Sequence, residues 1–450
     1  MSISLIKALG IQAGETVAFV GAGGKTTAMF AVARELERRY PETPVIVTAS
    51  THLTEEQCSL ADHHMMVTAV EDIQRFFEQP QSGVQLLTGT RADDGRMHGL
   101  PSDLLDIIYK NAHQADMPVL IEADGSRRLP LKAPAAHEPA IPAWVDRVVI
   151  MAGLSGIGRM LTTGNIHRPE IFARLGGGNE NQPVLPDHLI NVLTSPLGGL
   201  KNIPEQAAAV LYLNQVDTLS EHGWIDNAIP RLLKAYHRVV VGALNPVGKQ
   251  AFISQVFTRI AGVILAAGGA QRFGSPKILL DWKGKPLIRH VAEVALRSGL
   301  FPVVVVLGSE VEAAVSILQD LPVEVVVNEN WHNGQGSSVA AGVKALPAGT
   351  GALLFFPADL PQVSVDIVHA LVDEYSRSMK DVIQPRVGGA PVNPVLFGEV
   401  TFPHLQKLNG REGGRGIFAQ FPPETLMWED QRLLMDIDTP EDYDRLKDME

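Results

Sequence analysis

The chain has 450 residues, of which 45% are hydrophobic and 20% charged, and its formal net charge is -12. That length accommodates two or three domains of about 100–200 residues, the composition is ordinary for a globular protein, and the acidity argues against nonspecific nucleic-acid binding, which needs a basic surface. A single cysteine, Cys58, rules out an internal disulfide and is expected as a small buried hydrophobe; without a signal-peptide pattern or an apolar run of roughly 20 residues, the expectation is a cytoplasmic protein with no membrane or nucleic-acid partner.

Short β-branched runs recur along the chain, at 17–20, 45–47, 119–121, 148–151 and 210–213, then at 262–265, 303–307, 323–327 and 353–356. Continuous apolar runs of this kind suit parallel strands covered on both faces. Helical patterns between them, such as 26–39 and 287–298, suit crossover connections. A stretch rich in Gly, Pro and Asn at 153–201 breaks the rhythm and reads as an insertion or lid. Residues 251–259 read as a closing helix. The predicted fold class is α/β, with two doubly wound domains. They span 1–257 and 258–450: a P-loop-like nucleotide-binding domain, then a Rossmann-like nucleotidyltransferase domain with a mostly parallel sheet.

In the first domain, Val17-Ala-Phe-Val-Gly-Ala-Gly-Gly-Lys-Thr-Thr27 reads as strand, Gly-rich turn and helix start. Gly21, Gly23 and Gly24 let backbone approach a phosphate, Lys25 brings a positive charge and Thr26 a hydroxyl for Mg²⁺. Phe19 stands where the strict P-loop pattern has its first glycine. Leu120-Ile-Glu-Ala-Asp-Gly125 ends an apolar strand in acids, so Glu122 or Asp124 is a candidate metal ligand. Leu213-Asn-Gln-Val-Asp217 is similar to the base-reading motif of GTPases, with Asn214 and Asp217 as nucleotide-binding candidates and Gln215 in place of its lysine. ATP or GTP is the nucleotide expected. Thr48-Ala-Ser-Thr-His-Leu53 and Asp124-Gly-Ser-Arg-Arg-Leu-Pro-Leu-Lys-Ala-Pro134 complete a resemblance, over about 1–255, to the accessory-protein family of selenium-dependent molybdenum hydroxylases. The resemblance implies a basic loop of Arg127, Arg128 and Lys132 beside the nucleotide. His52 reads as a polar loop residue, and His63 and His64 have no pattern of metal ligands.

The second domain opens with Val263-Ile-Leu-Ala-Ala-Gly-Gly-Ala-Gln-Arg-Phe-Gly-Ser-Pro-Lys277. Gly268 and Gly269 admit a phosphate or base close to the backbone. Arg272 and Lys277 supply charge where an NTP losing pyrophosphate accumulates it. With Gly284-Lys-Pro-Leu-Ile288, Phe355-Phe-Pro-Ala-Asp-Leu-Pro-Gln362, Asn330-Trp-His-Asn-Gly-Gln-Gly-Ser-Ser338, Asn393-Pro-Val-Leu-Phe397 and Met435-Asp-Ile-Asp-Thr-Pro-Glu-Asp442, the segment resembles the MobA-like NTP transferases, and among them the molybdenum cofactor cytidylyltransferase family. That resemblance implies Mg²⁺ held by Asp359 with Asp438 as a second contact, nucleotide contacts from Ala266, Ala267, Gly268 and Gly269, and substrate contacts from Gln335, Ser337, Ser338 and Asn393. It implies that CTP and molybdopterin, the organic part of the molybdenum cofactor, are the substrates, and that a molybdenum hydroxylase apoenzyme receives the product. Arg411 stands where the family carries an Asp. Two alternatives are a sugar- or polyol-phosphate nucleotidyltransferase and a noncatalytic cofactor-binding insertion chaperone.

Overall fold

The computed structural model describes residues 3–244, 251–268, 276–437 and 439–448. It divides into two compact units, Met1–Phe257 and Thr258–Glu450.

In the first unit ten strands follow one another: β1 (Thr16–Gly21), β2 (Val45–Ala49), β3 (His63–Met66), β4 (Val84–Thr88), β5 (Val119–Glu122), β6 (Leu131–Lys132), β7 (Arg147–Gly153), β8 (Ile166–His167), β9 (Ala208–Asn214) and β10 (Arg238–Ala243). Eight form one sheet in the order β10-β9-β7-β1-β5-β2-β4-β3, and every neighbouring pair is parallel. The apolar runs explain this: all five residues of β2 and of β4 are buried, as a parallel strand covered on both faces requires. The exposed His63, His64 and Met66 of β3 belong at the sheet edge. Helix Lys25–Arg39 crosses from β1 to β2 and buries Met29, Phe30, Val32, Ala33 and Leu36, spaced to make one face. Each large side chain among them contributes about 1.5–3 kcal/mol of burial.

The order reverses at β1, which has β5 on one side and β7 on the other. The carboxyl ends of those three strands therefore open a crevice of the kind in which α/β sheets bind ligands. Segment 153–201 is no loose lid. It contains helices Pro169–Gly176 and Pro186–Thr194, and Leu154, Leu161, Ile166, Phe172, Val184 and Leu189 sit in the same hydrophobic core as the sheet. Its strand β8 pairs with β6, tying the segment to the loop after β5.

Strand β11 (Phe252–Ala266) begins ahead of Thr258 and runs into the second unit, which also contains β12 (Asp281–Trp282), β13 (Lys285–Pro286), β14 (Val303–Leu307), β15 (Glu324–Val327), β16 (Thr350–Pro357), β17 (Val382–Val387), β18 (Ala390–Pro391), β19 (Val395–Gly398) and β20 (Glu424–Trp428). The run β15-β14-β11-β16 is parallel. Strand β19 adds antiparallel to β16 and β17 antiparallel to β19, while β20 lies parallel to β17. The sheet is mixed but mostly parallel at its centre. Residues 252–259 are strand, where a closing helix over 251–259 is expected from sequence. The reason is a period of two: Val256, Thr258 and Ile260 are buried, and Phe257 and Arg259 between them are only partly so. No helix among the described residues is long and apolar enough to cross a membrane.

Candidate functional site

In the first unit, a cavity of about 930 Å³ lies at the switch point, lined among others by Gly23, Gly24, Lys25, Thr26 and Glu122. The loop after β1 reaches it through glycines with positive φ, +82° at Gly23 and +123° at Gly24. Space demands glycine as well: a Cβ on Gly23 would lie 2.4 Å from the Gly153 Cα. Helix Lys25–Arg39 then opens on the cavity, and the first amides of a helix have no intrahelical acceptor.

The loop is held by charged groups from two other strands. The Gly21 N–H donates to both oxygens of Asp124 at 3.1 Å. Lys132 Nζ donates to the same carboxylate at 2.7 Å. Lys25 Nζ donates to the Gly21 carbonyl at 2.7 Å and lies 3.3 Å from Asp124 and 3.8 Å from Glu122. Thr26 Oγ1 donates to Glu122 Oε2 at 2.7 Å and accepts from Gln57 Nε2 at 2.8 Å. Burial pushes the Glu122 carboxyl upward, against Lys25 and the Thr26 bond, which favour its charged form. Thr26 and Glu122 are a hydroxyl and a carboxylate in contact at the cavity, a donor set that suits a magnesium ion keeping most of its water. Asp124 is spent on the loop backbone and two lysines, and it does not line this cavity.

Asn214, buried at the end of β9, donates to the Gly23 carbonyl at 2.7 Å and accepts from Leu244 N–H at 2.9 Å. It therefore staples the glycine loop. Asp217 is exposed and outside the cavity lining, whereas Gln215 lines it and accepts from Ser155 Oγ at 2.7 Å. Of the basic residues, Arg127 and Arg128 line the cavity, but Lys132 is buried behind it, between Asp124, the Gly125 carbonyl and Glu138. Sequence reasoning passed over Glu138 and Arg168. Arg168 grips Glu138 with two bonds, 2.7 and 2.9 Å, and Lys132 adds a third at 2.9 Å. Burial pushes the Glu138 carboxyl up, but these cations outweigh it and hold it at about 2. His52 lines the cavity with its ring 4.8 Å from that of His98. Cys58 is buried. Among the described residues no group of three or more His, Cys, Asp or Glu is placed to hold a metal.

In the second unit, Ala266 and Ala267 are buried at the end of β11, and Gly268 follows them exposed. Gly269, Arg272 and Asp438 lie outside the described residues. Strand β16 runs beside β11, with Leu265 opposite Pro357, so the loop carrying Asp359 emerges next to the loop after β11. Lys277 Nζ is 3.9 Å from Asp359 Oδ2, and both side chains are partly exposed. A single accessible carboxylate fits a magnesium ion bound mainly by water and substrate phosphates. Trp331 packs against the same strand end: a Cβ on Gly308 would meet its ring at 2.5 Å and the Ala267 carbonyl at 2.7 Å.

A second cavity, about 690 Å³, is lined by Gln335, Asn393, Arg411, Arg415, Phe355 and Phe397 among others. Phe355 and Phe397 meet edge to face at 5.4 Å. Gln335 and Asn393 are thus brought to one cavity. Ser337 and Ser338 are not in its lining: Asn328 Nδ2 donates to their hydroxyls at 2.9 and 3.0 Å, fastening the chain after β15 to helix Gln335–Lys344. The glycines of this segment serve close packing. Gly336 N–H donates to the Gly410 carbonyl at 2.9 Å, and a Cβ on Gly334 would stand 2.4 Å from that oxygen. The contact sets the turn bearing Arg411 at the cavity edge.

Comparison with known proteins adds to this geometry. The family model described as YqeC protein matches residues 17–170, and that described as MobA-like NTP transferase domain matches 262–425. "Uncharacterized protein YqeC" of Escherichia coli (strain K12) is 30% identical over 218 residues, covering 47% of this chain and 80% of that protein. "Purine catabolism protein PucB" of Bacillus subtilis (strain 168) is 33% identical over 199 residues, 42% of this chain and 96% of that protein. A "probable molybdenum cofactor guanylyltransferase" of Bacillus anthracis is 31% identical over 132 residues, 29% of this chain and 64% of that protein.

Proposed function

Since the chain belongs to the YqeC protein family over its first unit and to the MobA-like NTP transferases over its second, we propose that the second unit transfers CMP from CTP to the phosphate of molybdopterin, in maturation of a molybdenum hydroxylase, and that the first is a P-loop-like nucleotide-binding accessory domain. The second unit is a nucleotidyltransferase; its base, acceptor and metal are the proposal. The observation that carries it is the approach of Lys277 to Asp359 at 3.9 Å beside the end of β11.

A phosphate oxygen of the acceptor attacks the α-phosphorus, the bond from that phosphorus to the bridging oxygen of the β-phosphate breaks, and pyrophosphate leaves. The attacking oxygen is already ionised at neutral pH, so the protein need supply no general base. Its part is orientation and charge. Lys277, joined by Arg272 on sequence grounds, balances charge on the departing pyrophosphate. Asp359, with Asp438 as second contact on sequence grounds, would hold Mg²⁺, which would neutralise phosphate charge there. Ala266, Ala267, Gly268 and Gly269 meet the nucleotide. Gln335 and Asn393, with Arg411 and Arg415 over a phenylalanine floor, suit an acceptor with a flat ring and a phosphate. Ser337 and Ser338 act one step back, by fixing Gln335. In the first unit, Gly21, Gly23, Gly24, Lys25 and Thr26 take the phosphates of ATP or GTP, Glu122 and Thr26 suit Mg²⁺, and Asp124 and Asn214 position the loop. Asp217 retains only its sequence argument for base contact.

The test is pyrophosphate release by the full chain with Mg²⁺, molybdenum-loaded molybdopterin and each NTP in turn. Release with CTP, absent in Asp359→Ala, is the expected result. Faster release with GTP overturns the base assignment. Turnover of sugar or polyol phosphates in place of molybdopterin overturns the acceptor. Tight cofactor binding without release under any NTP makes the unit an insertion chaperone instead.

A further inference from the structure

The first-unit cavity holds more positive charge than a single phosphate loop uses. Its lining has six fixed cations, Lys25 and five arginines, and two carboxylates, Glu122 and Glu138; Lys25, Arg96, Arg128 and Arg168 are paired with Asp124, Asp94, Glu56 and Glu138. Of these carboxylates, Glu138 is committed to Arg168 and Lys132. Arg127 and Arg159 have no side-chain ion pair or hydrogen bond among the described residues, yet both line the cavity. They come from separate elements, the loop after β5 and the turn after β7, which the β6–β8 pairing draws together. Arg127 is held with φ at +52°, in the left-handed region where a side chain larger than glycine costs about 1 kcal/mol or more. Burial, then the charges of Arg168 and Lys132 and last that of Arg127, outweigh Glu138 and hold the nearby His167 ring at about 4, neutral at pH 7. Neutral imidazole beside unpaired guanidinium offers both a hydrogen-bond partner and charge to an incoming anion. The volume, about 930 Å³, is near the upper end of the roughly 300–1,000 Å³ typical of small-molecule sites.

We propose that Arg127 and Arg159 form a second anion subsite in the nucleotide cavity, for a small molecule bearing a phosphate group, so that the first unit binds two ligands at once. The proposal rests on the reading of the 21–26 loop as a nucleotide-phosphate site. It assigns Lys25 to the nucleotide and the two arginines to its companion.

Hydrogen–deuterium exchange of the full chain tests both layers and localises each one away from the second unit. Saturating Mg²⁺ with a hydrolysis-resistant ATP or GTP analogue should protect peptide 21–27. Pyrophosphate added on top should protect 125–129 and 155–159, and citrate at equal ionic strength should not. The double variant Arg127→Ala, Arg159→Ala should bind that pyrophosphate about 10- to 100-fold more weakly, while the nucleotide still protects 21–27. If the nucleotide alone protects all three peptides and pyrophosphate adds nothing, the arginines serve the nucleotide and the second subsite is overturned. Equal protection by citrate, or undiminished binding by the double variant, overturns it too. A nucleotide analogue that leaves 21–27 unprotected strikes the phosphate-loop reading itself, and the two-ligand site falls with it.

Discussion

The two proposed phosphate sites are built in different ways. In the first, charged groups are locked by bonds that the protein makes to itself: Asp124 and Lys25 have side chains only 2% exposed, and each spans loop and strand. In the second, Lys277 and Asp359 are 20% and 35% exposed, and their nearest approach is 3.9 Å. Residues of the first site therefore carry part of the fold, whereas under the proposed function the more exposed pair of the second carries mainly rate. A substitution should reveal which regime it falls in by moving stability or turnover, and seldom both.

The sharpest break would come at Asp359. Asp359→Ala should lower pyrophosphate release about 1,000-fold or more with an unchanged thermal midpoint; a lowered midpoint would place this residue in the structural regime as well. Asp124→Ala should do the reverse. It strands Lys132 and the Gly21 amide in a buried site, costing about 3–5 kcal/mol in chemical denaturation of the first unit, with transfer by the second intact. Lys277→Ala should reduce turnover about 100- to 1,000-fold without a change in unfolding. Lys25→Ala should weaken nucleotide binding to the first unit by about tenfold or more, measured by calorimetry, and lower its unfolding midpoint, because Asp124 and Glu122 lose a buried partner, while leaving nucleotidyl transfer by the second unaffected. A further effect is in pH. Glu138 lies below its ordinary 4.5, at about 2, so its stabilisation is fully present above pH 4.5 and is lost as pH falls toward 2. The worth is about 2–3 kcal/mol. Glu138→Gln should flatten that part of the stability profile, and an unaltered acid limb would show that Arg168 and Lys132 find other partners.

The same division explains what could be read from the sequence. Strands such as Val45–Ala49 and Val303–Leu307 announce themselves because burial on both faces forces a continuous apolar run. The glycine loop at 21–24 was legible because positive φ and close approach to Gly153 leave no other residue type. Less legible was β11, whose alternation at Val256, Thr258 and Ile260 is easily mistaken for a helical face in a short window. The Lys132–Glu138–Arg168 cluster had no local signal at all, since 30 residues separate Glu138 from its arginine and only the β6–β8 pairing brings them together. Asn328 was hidden for a related reason: an Asn after a strand looks like a turn residue, and nothing local reveals that it holds Ser337 and Ser338.

Gly308 has an optical consequence. By omitting a side chain it lets Trp331 lie against the strand end that leads into the nucleotide loop. The chain has five tryptophans; Trp282 is 1% exposed, and Trp144 is stacked on Tyr109 in the first unit. Under the proposed function, the indole of Trp331 is a native fluorophore beside the strand end that leads to the nucleotide. Its emission should shift when an NTP enters the second unit and stay still when one enters the first, giving an internal, label-free meter for which of the two sites is occupied.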